Sequence, residues 1–226
     1  MKDKLITAII GTQCALSGEV PSNLRAVTVD VDSVKGFFID FYYEGVITED
    51  IDASASSIVM EASCVFHPFF PCTDREIRLD PPSEIPRDKT LVYLRNEKHV
   101  NHQSLLSNAY FTYKSAVEDA MILSSVDMAR LAAIPALLGK ITPQLRAVKI
   151  DSDETSFGMH FIYHGEISEE DRLLALSAIE EFGKYIPKGY EKRGTIERLD
   201  YPERIPFIAF AYYKKEPTTE IMYVGS

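Results

Sequence analysis

Asn23-Leu24-Arg25-Ala26-Val27 returns as Gln144-Leu145-Arg146-Ala147-Val148, and this recurrence decides how the chain folds. It is one of a series. Phe41-Tyr42-Tyr43-Glu44-Gly45 returns as Phe161-Ile162-Tyr163-His164-Gly165, and Ile47-Thr48-Glu49-Asp50 as Ile167-Ser168-Glu169-Glu170. Arg78-Leu79-Asp80 returns as Arg198-Leu199-Asp200, and Ile85-Pro86 as Ile205-Pro206. Five matches in one order, at offsets of 121 to 120, mark two copies of one unit. The 226 residues therefore divide into units of about 100 residues, each long enough for its own core. The expected boundaries are residues 1–97 for the first unit, 98–126 for a helical linker, 127–216 for the second unit and 217–226 for a C-terminal tail.

Within each copy the periodicities alternate. Leu5, Ile6, Ile9, Ile10 and Leu16 have helical spacing before Gly18; the second copy runs from Met128 to Leu138 before Gly139, with Pro135 expected to kink or divide that helix. Val27, Val29 and Val31 then alternate with polar residues, as do Phe37, Ile39, Phe41 and Tyr43 after a short polar turn. The two segments predict a hairpin with one buried face. Thr48 and Ser168 occupy N-cap positions ahead of acids that suit a helix N-terminus, and Ser168 with Asp171 approximates a capping box. Two short strands separated by a proline loop close each copy. Each unit reads α-β-β-α-β-β. The predicted class is α+β, each unit a mostly antiparallel four-stranded sheet with helices on one face. Helical spacing over Gln103 to Leu123 predicts an extra helix between the copies.

Composition narrows the function. Hydrophobic residues make up 46% and charged residues 26%, the balance of a soluble globular chain. The net charge is −10, with residues 1–97 at −7 and residues 98–226 at −3. An acidic surface repels phosphate backbones and suits a basic protein partner, so no nucleic-acid partner is expected. Cys14, Cys64 and Cys72 are odd in number and lack CxxC spacing, which fits a reducing compartment. No stretch approaches the roughly 20 apolar residues of a membrane span. These features predict a cytoplasmic protein with no membrane partner.

Candidate chemistry is sparse. No P-loop, Gly-x-Ser-x-Gly, dinucleotide fingerprint or HExxH is present, and no histidine is shared by the copies to serve as a base for a nucleophile. His160 and His164 lie four apart on a strand where the first copy has Asp40 and Glu44. Their ligand types would suit zinc if the units paired through these faces, but a solvated polar face is the simpler account. They are weak metal candidates, and no cofactor is expected. His99 and His102 fall in the linker. Arg25 and Arg146 share the parity of the core valines, so each needs a buried partner. Asp80 and Asp200 are the expected partners in structural ion pairs.

These residues resemble a family of small bacterial immunity proteins of contact-dependent and related polymorphic toxin systems. The second copy carries the pattern most fully, in Leu145-Arg146-Ala147-Val148, Tyr163-His164-Gly165-Glu166-Ile167-Ser168-Glu169-Glu170-Asp171, Arg198-Leu199-Asp200-Tyr201-Pro202-Glu203-Arg204-Ile205-Pro206 and Tyr212-Tyr213-Lys214-Lys215-Glu216. The first copy is looser, with Ile51 for the third acid and Pro81-Pro82 after Asp80. The resemblance implies a non-enzymatic inhibitor that neutralises a toxin domain by direct binding. A basic toxin domain would suit the acidic chain, and Phe38, Asp40, Tyr42, Glu44, Glu49 and Asp50 on the more acidic unit are the expected contacts. Two other readings stay open at this level: a metal-dependent enzyme with a site between the units, and a structural or assembly module.

Overall fold

The computed structural model describes residues 2–67, 70–97, 113, 124–205 and 209–214. The first unit contains α1 (Lys2–Ala15), β1 (Leu24–Asp32), β2 (Gly36–Tyr43), α2 (Glu49–Ser63), β3 (Cys72–Arg78) and β4 (Thr90–Leu94). The second repeats the order with α3 (Ser125–Leu137), β5 (Leu145–Ser152), β6 (Ser156–Tyr163), α4 (Glu169–Tyr185), β7 (Glu191–Arg198) and β8 (Phe210–Tyr213). The sheets run β3-β2-β1-β4 and β7-β6-β5-β8. In each, the first strand pairs antiparallel with the second and the fourth, while the second and third are parallel. The parallel pair is the consequence of the crossover helix α2 or α4, which returns the chain to the same end of the sheet. The α-β-β-α-β-β order and the α+β class agree with the sequence reading. The linker helix expected over 103–123 lies outside the described residues, apart from Tyr113. That residue is helical and buried.

Several local expectations meet the structure directly. Asp32 closes the first hairpin by accepting from the Val34 and Lys35 amides at 2.8 and 2.7 Å, and Asp153 does the same in the second unit for Thr155 and Ser156. Ser168 caps α4 by accepting from the Asp171 amide at 3.1 Å, whereas Thr48 holds the cap position of α2 without a side-chain cap bond. Pro135 does not divide its helix, which runs unbroken from Ser125 to Leu137. It sits in the last turn, where few turns remain to be disturbed.

The hairpins are buried on both faces, not one. Along β2 only Phe38 is half-buried; Phe37, Ile39, Asp40, Phe41, Tyr42 and Tyr43 are all buried. The proline loop after β3 folds back over the outer face, bringing Ile85 into the interior. In the second unit Ala147, Ile162 and Phe210 form a separate small cluster there, with Leu199 and Ile205 packed on it. Alternation in the strands marked the helix-side face but could not show that a distant loop covers the other.

The units join through their repeats. The Gly18 amide donates to the Tyr213 carbonyl and the Gly139 amide to the Leu94 carbonyl, each at 2.9 Å. Both glycines have positive φ, 84° and 70°, a conformation that lets the chain leave its helix and meet the other unit's last strand. Bridges Val20–Lys214 and Ile141–Arg95 follow the same exchange, and Tyr93 stacks on Tyr212 with ring centroids 6.5 Å apart. Each unit thus gives the other what it receives, as in an isologous dimer. The edge strands at this seam are closed further by side chains: Gln13 donates to the Ala211 carbonyl and the Tyr113 hydroxyl to the Leu91 carbonyl at 2.7 Å. Capping such carbonyls removes a template for unwanted strand pairing.

Candidate partner-binding surface

The residues expected to contact a partner separate into two groups. Asp40 and Tyr42 are 1% and 2% exposed, so the outer-face reading fails for them. Asp40 is held by Arg75 at 2.6 Å and Lys89 at 2.8 Å, and the Tyr42 hydroxyl donates to it at 3.3 Å. Burial would raise the Asp40 carboxyl, but the hydrogen bonds and charges of Arg75 and Lys89 outweigh it and hold the group below its ordinary value. Phe38 is half-buried under the Lys89 ammonium, 5.7 Å from its ring centroid. Glu44, Glu49 and Asp50 are exposed. Glu44 meets Arg95 at 2.5 Å, and Glu49 and Asp50 open the first turn of α2.

The expected arginine pairs are also corrected. Arg25 is fully buried, and its carboxylate partner is Glu97, at 2.5 and 2.6 Å through two guanidinium nitrogens. It also donates to the carbonyls of Leu79 and Ser83. Arg146 donates to the equivalent carbonyls of Leu199 and Glu203 at 2.5 and 3.0 Å. Each arginine sits where the strand register slips, between Leu24 and Ala26 or between Leu145 and Ala147. Such an irregularity re-aims the side chain, which parity counting could not register. Asp80 and Asp200 instead accept from the Gly45 and Gly165 amides at 2.6 Å and pair with Arg78 and Arg198. Arg198 and the Gly165 amide pull the Asp200 carboxyl down to about 2. A signal for Glu97 existed: it matches Glu216 in the second copy's final segment.

The positions that drifted between copies hold different networks. In the second unit His160 lies 2.6 Å from Asp151 and 2.8 Å from the Thr195 hydroxyl, and Asp151 also meets Arg193 at 3.1 Å. Gly158 makes this possible, because a Cβ there would run into Asp151 and His160. Hydroxyl, imidazole and carboxylate in that order could relay a proton, but Thr195 is in the wall of neither hollow found at the seam between the units. His164 accepts from the Tyr201 amide at 3.2 Å. Asp40 is engaged by Arg75 and Lys89 and His160 by Asp151, so the structure does not gather the four residues of the two-histidine, two-acid idea. Among the described residues, no group of three or more His, Cys, Asp or Glu is placed to hold a metal ion. His99 and His102 lie outside the described residues.

One pair of acids has a measurable consequence. Burial and the neighbouring carboxylates of Asp52, by hydrogen bond and charge, and of Asp74 raise the Glu76 carboxyl to about 7. A folded-state value above the ordinary 4.5 means the group favours folding below pH 4.5, and that contribution is lost as pH rises through 7. Glu76→Gln is therefore expected to stabilise the protein above pH 7. The gain is on the order of 1 kcal/mol after solvent screening, and it vanishes at pH 4.5. Urea unfolding at the two pH values measures it; equal gaps at both would exclude the carboxyl pair as the cause.

Two adjoining hollows line the seam between the units, of about 450 and 380 Å³. No helix among the described residues is long and apolar enough to cross a membrane. No curated protein matches the sequence. The family described as MafI2 immunity protein matches residues 5–97 and, a second time, residues 127–216, the two segments that carry the repeated α-β-β-α-β-β order. With both units matched, the chain belongs to the MafI2 immunity protein family as a tandem of two family domains.

Proposed function

We propose that the chain is a non-enzymatic immunity protein that neutralises a toxin domain by binding it directly, in the cytoplasm of the bacterium that makes it. The double family match carries this reading, and the net charge of −10 supports a basic toxin as partner. On the same reading, residues 1–97 and 127–216 are the working units, with 98–126 joining them and 217–226 as a tail. Exposed Glu44, Glu49 and Asp50 on the more acidic unit act in steering: they speed encounter through long-range attraction.

The test is co-expression with each candidate toxin domain from the genes neighbouring this one. Cells making both are expected to grow, cells making the toxin alone to arrest, and the purified pair to form a complex weakened by salt. Glu49→Lys with Asp50→Lys is expected to slow association by about tenfold at low salt while leaving dissociation little changed. Growth without complex formation would point to an enzymatic or indirect mode. Absence of both protection and complex would overturn the reading.

A further inference from the structure

The two hollows at the seam are parts of one groove, because Asn96, Thr142 and Pro143 line both. Their chemistry differs. The larger is walled mainly by apolar and aromatic residues, among them Pro21, Tyr93, Ile141 and Tyr212. Its two cations are already engaged: Arg95 with Glu44 at 2.5 Å and Glu97 at 3.3 Å, and Lys214 with the Pro143 carbonyl at 2.8 Å. The smaller has Glu166, Glu170 and Asp171 in its wall and no lysine or arginine. The N-terminus of α4 offsets about half of one charge there, and Arg198, which acts on Glu166 electrostatically, is itself paired with Asp200, so the three carboxylates keep the hollow negative.

The groove is also incomplete in its hydrogen bonding. Thr142, in the wall common to both hollows, is 8% exposed and its hydroxyl has no partner. A buried hydroxyl left unpaired is a standing cost that an incoming polar group can relieve if the wall shifts to admit it. The acidic end belongs to the second copy alone. Where that copy has Glu166 and Asp171, the first has Val46 and Ile51. Duplication thus produced a seam whose halves match in backbone but not in charge.

We propose that this groove is the toxin-docking site, and that it takes an extended toxin segment with an apolar side chain in the larger hollow and a neighbouring lysine or arginine in the acidic one. The inference rests on the immunity reading above and adds the face and the chemistry. A cation lowered beside three carboxylates is desolvated on one side and paired on the other, the arrangement in which charge contributes to lifetime as well as encounter. Glu49 and Asp50 would act before contact, and Glu166 and Glu170 after it.

Binding kinetics of the full chain with the toxin domain against which it protects in the co-expression test separate the possibilities. Glu166→Gln with Glu170→Gln is expected to weaken binding at least about tenfold, chiefly through faster dissociation. Ser22→Trp, which fills the mouth of the apolar hollow from an exposed position, is expected to do the same without changing charge. Glu154→Gln with Glu180→Gln removes two exposed charges elsewhere and is expected to change affinity less than about twofold. Thermal melts of all variants check that they remain folded. If wild type binds and either groove variant behaves like the control, the proposal is overturned while the immunity reading stands. If wild type does not bind, neutralisation by direct binding fails and takes this proposal with it. A wild-type dimer that Ser22→Trp dissolves would assign the groove to a second copy and also overturn the proposal.

Discussion

Glu97→Ala is expected to destabilise the protein by about 3–5 kcal/mol, because it strands a buried charge. Arg25 has 0% of its side chain exposed and Glu97 5%. Removing the carboxylate leaves the guanidinium in the interior hydrogen-bonded to the Leu79 and Ser83 carbonyls, with the Asp80 charge acting on it from outside hydrogen-bond contact and already engaged by Arg78 and the Gly45 amide. Those bonds satisfy donors but do not neutralise charge. Asp80→Ala tests the alternative partner. Its arginine, Arg78, is 59% exposed, so a much smaller effect is expected from the ion pair. Replacing both buried partners, as Arg25→Met with Glu97→Leu, is expected to recover most of the loss, since neither charge then needs solvation. Equilibrium urea unfolding of the three variants measures this. A Glu97→Ala loss no larger than that of Asp80→Ala would show that Asp80 serves Arg25 in solution.

Gly36→Ala follows, with an expected loss of about 3 kcal/mol. Two effects combine. The residue has φ of 110°, where a side chain is strained. A Cβ there would also meet the Pro71 carbonyl oxygen, with the Pro71 carbonyl carbon 2.9 Å away. That carbonyl cannot retreat freely, because it accepts from the Phe37 amide at 2.8 Å where β2 and β3 begin their parallel pairing. Gly45→Ala separates the effects. Its φ is 76° but nothing lies within 4 Å of the new Cβ, so only the strain of about 1 kcal/mol is expected. Similar losses at the two positions, by urea unfolding, would show that the backbone at Pro71 yields.

Both predictions concern contacts that local sequence patterns do not announce. The order of elements was legible because it rests on short-range rules: 3.6-residue and two-residue periods, caps at Thr48 and Ser168, and glycine stops at Gly18 and Gly139. The repeat strengthened each rule by stating it twice. The Arg25 partner is not legible in the sequence, because the strand irregularity beside Ala26 breaks the alternation that assigns side chains to faces. The burial of Asp40 and Tyr42 is not legible in the sequence, because the groups that hold Asp40, Arg75 and Lys89, come 35 and 49 residues later in the chain.

By itself, the sequence determined the number of units, their α-β-β-α-β-β order and the family resemblance, since each depends on residues close together in the chain and repeated in it. Only the tertiary structure decided that Glu97 and not Asp80 is the hydrogen-bonded carboxylate of Arg25, that both faces of the hairpins are covered, and that the units exchange Gly18 and Gly139 hydrogen bonds across a shared seam. Such contacts join residues far apart in sequence, and their geometry is set by how whole sheets and helices pack. The groove at that seam has the same origin: Glu166 and Asn96 lie in different units, and packing alone makes them neighbours.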